Sequence, residues 1–426
     1  MTPAGSSKKS PQELYAERNK RVDDAIALKR PDMVPVHLFV GYFASKYTGV
    51  PSSALYYEAE RWHQANRKTV VDFAPDTYWV QTAGVSGQAM EILGPHQMRW
   101  PGFNLPPNQG HQMVELEPMK GDEYDAYMED PSDYVVRTYL PRVWDSAAPL
   151  ANLTPFRGMV GGSSLPFFLA QFARPEMAPA LEAFRKAAET QAKWQGVGGN
   201  LAGELDRLGF PAYTAPRMMG GAPFDTVSDN LRGMRGAMLD MYQRGDKLIE
   251  FCEWLAKQRI DAIRKTPAPT GENAIRRVFI ALHRGSDGFM SLPQFEKYYW
   301  PTLKRVMLAM IDSGWIPCPF FEGIWDQRLE YIRDLPKGKV LCHFAAQTSP
   351  ERARAVLGGH LCVMADVPPS LLLTGSVAEV EAYCKKLIDL FGKDGGLIIT
   401  STSIDEAKPE NIKAMIEATH RYGRNS

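Results

Sequence analysis

Eight short apolar segments recur along the chain, and helix-like segments lie between most of them. Continuous apolar runs rich in β-branched residues are typical of parallel strands that are buried on both faces. Strand alternating with helix predicts a parallel sheet, and eight such units predict an α/β protein with a single (β/α)8 TIM barrel. The eight predicted strands are residues 34–41, 76–80, 158–163, 277–283, 316–322, 340–345, 361–366 and 396–401.

Three regions depart from this repeat. Residues 1–29 are predicted to form an N-terminal helical extension, which leaves residues 30–425 for the barrel. Residues 94–144 are rich in proline, glycine, asparagine and aromatic residues, and so long a loop in a compact domain is usually functional or disordered. Because the aromatic residues argue against disorder, we predict an inserted loop after the second strand that acts as a lid or a dimer contact. Residues 209–227 are a second irregular stretch that could form another wall of the pocket.

Composition excludes several functional classes. The chain has 49 basic and 49 acidic residues, whereas nucleic-acid binding needs a basic face. It has no apolar run near 18 residues and no apolar core of a signal peptide, so no membrane association is expected. Its five cysteines form no Cys-x-x-Cys pair, which fits a reducing cytoplasm and argues against a cysteine-rich zinc site.

Ionisable residues stand at the ends of the predicted strands. Glu322, His343 and Asp366 end three consecutive strands, and His283 and Asp287 follow the strand before them. Because the carboxyl ends of barrel strands meet at one mouth, we predict that these five residues form the catalytic site. Two chemistries remain open: Glu322 and His343 hold a divalent metal such as zinc, or the same groups transfer protons to and from a substrate.

Four further residues are candidates for binding the substrate. Arg284, Arg217 and Lys46 are the cations expected near the mouth, and His37 lies inside the first predicted strand. Each candidate also has a structural alternative, such as a hydrogen-bonded interior histidine or a carboxylate that caps a turn. Cys342 should point away from His343, because side chains alternate along a strand.

Four stretches resemble the uroporphyrinogen decarboxylase superfamily, and the resemblance spans about residues 30–425. The resemblance implies the TIM barrel fold. The most specific part is the closing strand and the helix after it. The stretches are "RPDMVPVHLF" (30–39), "GGSSLPFFLAQF" (161–172), "HRGSDGFMSLPQFEKYYWPTLKRV" (283–306), and "LTGSVAEVEAYCKKLID" with "GGLIITSTSIDEAKPENIKAMIEA" near the C-terminus.

Departures from the family pattern narrow the function. The porphyrin decarboxylase holds substrate carboxylates with an arginine-rich loop after the first strand, but "GYFASKYTGVPSS" contains one lysine and no arginine. Zinc methyltransferases of the family carry His-x-Cys at the sixth strand and a cysteine at the eighth. Here those positions read His343-Phe344-Ala345 and Ser401-Thr402-Ser403. The resemblance therefore favours the corrinoid-linked methyltransferase branch over porphyrin decarboxylation, with nitrogen and oxygen groups in place of thiolates.

We accordingly predict a cytoplasmic methyltransferase of one-carbon metabolism that acts on a small substrate. The Asp-x-His-x-x-Gly signature of a cobalamin-binding module is absent from the chain, so a corrinoid would come from outside, free or on a corrinoid protein. A homodimer is the default assembly. The alternatives are a decarboxylase or other lyase acting on a small carboxylic acid, and a binding barrel without catalytic activity.

Overall fold

The computed structural model describes residues 9–216 and 219–425, and nine strands occur within them. Seven of the eight predicted strands are confirmed, with bounds that shift by three residues or fewer. The strands are β1 (His37–Gly41), β2 (Thr77–Val80), β3 (Met98–Arg99), β4 (Gln112–Met113), β5 (Arg277–Leu282), β6 (Ile316–Phe321), β7 (Leu341–Phe344), β8 (Cys362–Asp366) and β9 (Leu397–Thr400).

Parallel strands organise the fold. β5 to β9 form a five-stranded sheet in sequence order, β1 pairs with β2 in parallel, and β3 pairs with β4 in an antiparallel ribbon. Single contacts join the β1–β2 pair to both edges of the larger sheet. Val36 bridges Ile399, Tyr78 bridges Ala212, and the N–H of Ala215 donates to the carbonyl of Arg277 at 2.8 Å. Within the described residues the named strands do not complete an uninterrupted hydrogen-bonded ring.

The predicted strand at residues 158–163 is wrong. Residues 156–158 form a 3₁₀ turn, Val160 is 90% exposed, and Gly161 has a φ of +128° that strand residues with a side chain do not adopt. Three glycines in this stretch leave few side chains to pack in a sheet. Residues 212–215 lie instead between β2 and β5, where a third strand was expected. The sequence marks them only as an irregular stretch between prolines.

Helices cover the outer side of the parallel strands. No helix among the described residues is both long enough and apolar enough to cross a membrane. The α-helices of eight residues or more are Pro11–Ile26, Ala59–Phe73, Met177–Trp194, Gly233–Gln243, Gly245–Arg264, Trp300–Asp312, Pro350–Leu357, Val377–Phe391 and Pro409–Gly423. Shorter α-helices are Phe43–Thr48, Ala54–Tyr57, Gly87–Leu93, Tyr124–Glu129, Pro131–Tyr134, Leu140–Val143, Ser164–Leu169, Leu201–Arg207, Pro223–Thr226, Leu292–Gln294, Leu329–Ile332 and Pro369–Thr374.

Residues 94–144 do not form the simple loop that their composition predicts. They contain the β3–β4 ribbon and several short helices. The side chain of Asp130 accepts from the N–H of Asp133 at 3.0 Å, and Pro131 takes the first helical position. An Asp cap before Pro is a recognisable helix start, and this signal was missed. The role of the segment as a lid or dimer contact stays a prediction.

The two faces of the parallel strands have different partners. Cys342 belongs to the outer core against the helices, which confirms that it points away from His343. Leu341, Met364 and Ile398 face the opposite, interior side and pack with Val22 and other residues of the helix Pro11–Ile26. A helix therefore lies where the N-terminal helical extension was predicted, and it closes the end of the interior opposite the strand carboxyl ends.

Candidate functional site

A buried chain of three polar side chains crosses the carboxyl ends of β7, β8 and β9. The Nε2 atom of His343 lies 2.9 Å from Oδ1 of Asp366. The Oδ2 atom of Asp366 accepts from the hydroxyl of Thr402 at 2.5 Å and from its N–H at 3.3 Å. All three residues are buried, so their mutual orientation is fixed by packing and by hydrogen bonds.

The second ring nitrogen of His343 has no protein partner. Nδ1 is buried and makes no hydrogen bond among the described residues. Nε2–H of His343 donates to the carboxylate of Asp366. Nδ1 is therefore a hydrogen-bond acceptor when the ring is neutral and a donor when the ring is protonated. Buried polar atoms are normally satisfied. Nδ1 of His343 is therefore a buried ring nitrogen whose hydrogen-bonding capacity is unused among the described residues.

His37 provides a second open imidazole in the same interior. Its ring centre lies 4.3 Å from that of Tyr213, and its Nδ1 is 3.1 Å from the hydroxyl of Thr77. Its Nε2 is buried without a partner among the described residues. Burial, together with the nearby charge of His343, holds the pKa of His37 well below its ordinary value. His37 is therefore neutral at physiological pH, and it can position a ligand but cannot carry the proton.

Aromatic rings line the interior beside the two histidines. Phe39 stacks on Trp79 at 4.2 Å between ring centres, and Phe279 stacks on Phe320 at 6.4 Å. The ring of Phe320 is also 4.6 Å from that of His343. All four aromatic residues remain partly exposed. A filled barrel interior is packed by branched aliphatic side chains, so partly exposed rings indicate space for a ligand.

A second group of ionisable residues lies nearer the solvent. We call Asp225, Asp229, His283, Arg284 and Glu322 the mouth cluster. Nδ1 of His283 lies 2.6 Å from Asp229, and its Nε2 lies 3.9 Å from Glu322. The hydrogen bond that His283 donates to Asp229, opposed in part by burial, raises the pKa of His283. His283 therefore sits between two carboxylates at the entrance to the interior.

Asp225 anchors the mouth cluster to the protein core. Its carboxylate accepts from the N–H groups of His283 and Arg284 at 3.0 and 3.1 Å, and from the hydroxyl of Tyr299 at 2.7 Å. Burial and the charge of Asp229 raise the pKa of Asp225 to about 6. Its protonation therefore changes within the range of ordinary enzyme assays.

Asp229→Asn is expected to lower the pKa of His283, because it removes the charge that stabilises the protonated ring. The pKa can be read from the imidazole signals in an NMR titration. Asp145→Asn is a matched control, because the hydrogen bond that His96 donates to Asp145 likewise raises the pKa of His96 on the surface. Each variant should lower the pKa of its own histidine only, and an unchanged pKa for His283 in Asp229→Asn would contradict the assigned contact.

Glu322 and His343 do not stand together as predicted. Phe320 pairs with His343 in the sheet register, so Glu322 lies two residues, about 7 Å of strand, closer to the solvent. The side chain of Glu322 is 58% exposed, whereas that of His343 is 1% exposed. Among the described residues, no three His, Cys, Asp or Glu side chains are gathered to hold a metal ion. The groups present therefore do not fit the predicted Glu322–His343 metal site.

Asp287 has a structural partner. It forms an ion pair with Arg328, whose side chain is 1% exposed, and accepts from the N–H of Gln327 at 3.1 Å. The Asp287 carboxylate is needed to balance a buried guanidinium. Its geometry gives no support to the predicted catalytic role.

The predicted substrate-binding cations are also engaged where they can be described. Lys46 pairs with Glu406 at 2.9 Å, and Arg284 pairs with Asp229 at 3.1 Å. Arg217 lies outside the described residues. Holding a substrate carboxylate with Lys46 or Arg284 would therefore require an existing ion pair to break.

Several residues of the site were missed in the sequence. Asp225 and Asp229 are four residues apart, a spacing that puts two side chains on one helical face. Asp225 lies within the irregular stretch 209–227 and Asp229 lies just after it. Thr402 lies in the segment where the family pattern expects a cysteine. Tyr213 gave no signal, because the segment that contains it was not predicted as a strand.

The carboxyl-terminal half of the chain is similar to a known protein family. Residues 218–422 match the uroporphyrinogen decarboxylase (URO-D) family. A uroporphyrinogen decarboxylase of Syntrophotalea carbinolica is 28% identical over 140 residues, which are 32% of this chain and only 38% of that protein. A methyltransferase from Methanosarcina mazei superposes with a TM-score of 0.57 over 95% of this chain and 98% of its own, at 14% identity. That last likeness concerns the fold.

The matched region contains β5 to β9, and therefore His343, Asp366, Thr402 and the whole mouth cluster. This part of the chain is therefore similar to the uroporphyrinogen decarboxylase family.

Proposed function

We propose that this chain is a methyltransferase of one-carbon metabolism that moves a methyl group between a small substrate and a corrinoid supplied from outside. The observation that carries the proposal is the His343–Asp366–Thr402 chain, in which Nδ1 of His343 is buried and has no hydrogen-bond partner among the described residues. The name of the Methanosarcina mazei neighbour, a methyltransferase, supports the same reaction type.

In the proposed reaction His343 supplies the proton that the leaving group needs. Asp366 holds the proton on Nε2 and balances the positive charge of the protonated ring, as a carboxylate does for a catalytic histidine elsewhere. Nδ1–H then donates to the substrate oxygen. An oxygen that leaves without protonation is a poor leaving group, and general acid catalysis of this kind contributes about 10²–10⁴ in rate.

Methyl transfer breaks one bond to the methyl carbon and forms another. The carbon–oxygen bond of the methylated substrate breaks, and the oxygen keeps its electron pair and takes the proton from Nδ1 of His343. A reduced corrinoid, entering as the second substrate, would supply the electron pair for the new bond to the methyl carbon. In the reverse direction the neutral ring of His343 accepts the proton of the substrate hydroxyl.

The architecture proposed for this reaction is a (β/α)8 barrel over residues 30–425, with residues 212–215 as its third wall and residues 1–29 as an extension. Residues 94–144 would form the lid or the contact of a homodimer. We propose a cytoplasmic enzyme whose partner is a corrinoid protein, with Glu322 and His283 at the entrance through which both substrates pass.

Charge argues against the decarboxylase alternative. A substrate carboxylate would approach Asp366 and the acceptor nitrogen of neutral His343, both of which repel it. The described cations at the entrance are already paired. No specific observation therefore favours carboxylic acid substrates.

The proposal is tested by incubating the purified protein with cob(I)alamin and a panel of small methyl ethers, alcohols and methylated amines. Transfer is expected to appear as the absorbance change from cob(I)alamin to methylcobalamin, dependent on enzyme and methyl donor. Parallel incubations with small carboxylic acids measure carbon dioxide. Carbon dioxide release without methyl transfer would favour the lyase, and the absence of any turnover would favour a binding protein.

A further inference from the structure

We infer that residues 156–169 form the apolar centre of a surface through which the chain binds a second copy of itself. The inference rests on the proposed homodimer, for which it names the contact, and it leaves residues 94–144 only the proposed role of a lid. The family resemblance and the wrong strand prediction both fall on this stretch. It nevertheless lies outside the parallel strands, and no residue of the candidate functional site belongs to it.

The segment is apolar on almost every side. Residues 158–173 contain no charged residue. The helix Ser164–Leu169 has four large apolar side chains, of which only that of Phe168 is buried. A helix that is apolar all round is normally covered by other protein. The exposed apolar side chains of the segment are Phe156 (37%), Val160 (90%), Leu165 (54%), Phe167 (78%) and Leu169 (52%).

Buried contacts hold this helix in a fixed position. The ring centre of Phe168 lies 4.7 Å from that of Phe156 and 5.7 Å from that of Phe172. The side-chain amide of Gln171, which is buried, donates to the hydroxyl of Thr154 at 2.8 Å, and its carbonyl oxygen accepts from the N–H of Thr154 at 2.7 Å. The exposed side chains therefore stand on an ordered base, which lowers the entropic cost of binding a partner.

The exposed apolar area matches that of a dimer contact. By their exposed fractions, the five side chains expose on the order of 500 Å² together, near the upper end of the roughly 300–600 Å² of the largest patch on a typical monomer. A standard contact takes roughly 800 Å² from each partner, of which about 65% is apolar in homodimers. The apolar share of such a contact is therefore also about 500 Å².

The charges around the segment fit a second copy better than a strongly charged partner. Arg157 pairs with Glu129 at 2.7 Å, and on the adjoining helix Met177–Trp194 Arg185 pairs with Glu182 at 2.8 Å. Each of these cations has its own carboxylate, so neither sign dominates. A membrane-binding face would carry an excess of Lys and Arg. Two identical surfaces with balanced charge can meet around a twofold axis with little like-charge repulsion.

Sedimentation velocity on the full chain tests the surface. The wild-type protein is expected to sediment as a dimer at micromolar concentrations. Phe167→Glu places a charge at the centre of the contact on each copy, so the dissociation constant of the dimer should rise at least about thirtyfold, the size expected for an aromatic hot spot. Val160→Glu should act in the same direction, and its 90% exposed side chain makes it safe for the fold of the subunit. Thermal unfolding midpoints verify that each variant is folded.

Met113→Glu is the matched control. The side chain of Met113 is 69% exposed on β4, within residues 94–144, so this variant adds the same charge to the competing segment and should remain dimeric. Dissociation caused by Met113→Glu, alone or together with Phe167→Glu, would overturn the assignment, and so would a monomeric wild type. A monomeric wild type that cosediments with vesicles of phosphatidylcholine and phosphatidylglycerol would assign the surface to a membrane instead.

Methyl transfer to cob(I)alamin separates this inference from the proposed function. Phe167→Glu should keep the wild-type rate per subunit, because neither the His343–Asp366–Thr402 chain nor the mouth cluster includes any of residues 156–169. A dimer that behaves as expected but transfers no methyl group would reject the methyltransferase and leave the surface standing. A monomer that transfers methyl groups would reject the surface and leave the methyltransferase standing.

Discussion

His343→Ala is expected to lower the rate of methyl transfer by about 10²–10⁴, the range for loss of a general acid. The substitution removes an imidazole whose Nε2 bonds the carboxylate of Asp366 and whose Nδ1 is buried without a partner among the described residues. The rate is followed as formation of methylcobalamin with saturating methyl donor. The thermal unfolding midpoint of the same sample shows whether the fold is retained.

Two further variants separate the proton transfer from packing. Asp366→Asn keeps the shape of the site but removes the carboxylate charge that stabilises the protonated ring, so it should also lose at least about a hundredfold in rate. His360→Ala is the control, because the Nε2–H of His360 donates to the backbone carbonyl of Leu335 at 2.9 Å. Unchanged turnover in His343→Ala with a stable fold would show that the histidine is interior packing.

The sequence predicts a strand correctly where consecutive apolar side chains are available to pack, and it fails where the segment is very short or rich in glycine. β7 and β8 were predicted from continuous apolar runs, which are typical of a parallel strand buried on both faces. Residues 212–215 were missed because Pro211 and Pro216 flank a stretch too short to show any periodicity. Residues 158–163 were predicted as a strand from Met159 and Val160 alone, although the glycines around them supply no packing.

The site was predictable where one strand end defined it. His343 and Asp366 end neighbouring strands, and strand spacing of about 4.8 Å allows their side chains to meet. Glu322 also ends its strand, but its distance along the strand from His343 depends on the sheet register, which the sequence does not specify. The contact between Asp229 and His283 could not be predicted from the sequence. The two residues are 54 positions apart, and Asp229 lies on a helix outside the sheet.

Asp76→Ala is expected to lower the free energy of unfolding by about 3–5 kcal/mol, the cost of leaving one member of a buried ion pair uncompensated. Asp76 is 1% exposed and pairs with Arg21, which is itself buried and also bonded to Asp32. The carboxylate of Asp76 accepts from the N–H of Val36 at 2.8 Å and lies 3.1 Å from Nε2 of His420. Urea unfolding followed by circular dichroism measures the change.

The pH dependence of the unfolding free energy tests the role of Asp76 independently. Burial alone would raise the pKa of Asp76, but the hydrogen bond from His420 and the charge of Arg21 outweigh it and lower the pKa. A carboxyl with a depressed pKa stabilises the folded state above its unfolded pKa of about 3.9, and this contribution is lost as pH falls through the folded value. Asp76→Ala should therefore reduce the fall of unfolding free energy below about pH 4.

Asp72→Ala is the matched control, four residues earlier on an exposed surface. Asp72 pairs with Lys68, whose side chain is 59% exposed, and pairs of this kind contribute about 0–1 kcal/mol. Asp76 differs because it joins three elements: the helix Pro11–Ile26 through Arg21, the segment before β1 through Val36, and the last helix through His420. Equal effects of the two substitutions would contradict this network. A larger effect of Asp76→Ala is expected, because the side chains of Asp76 and its partner Arg21 are 1% and 4% exposed.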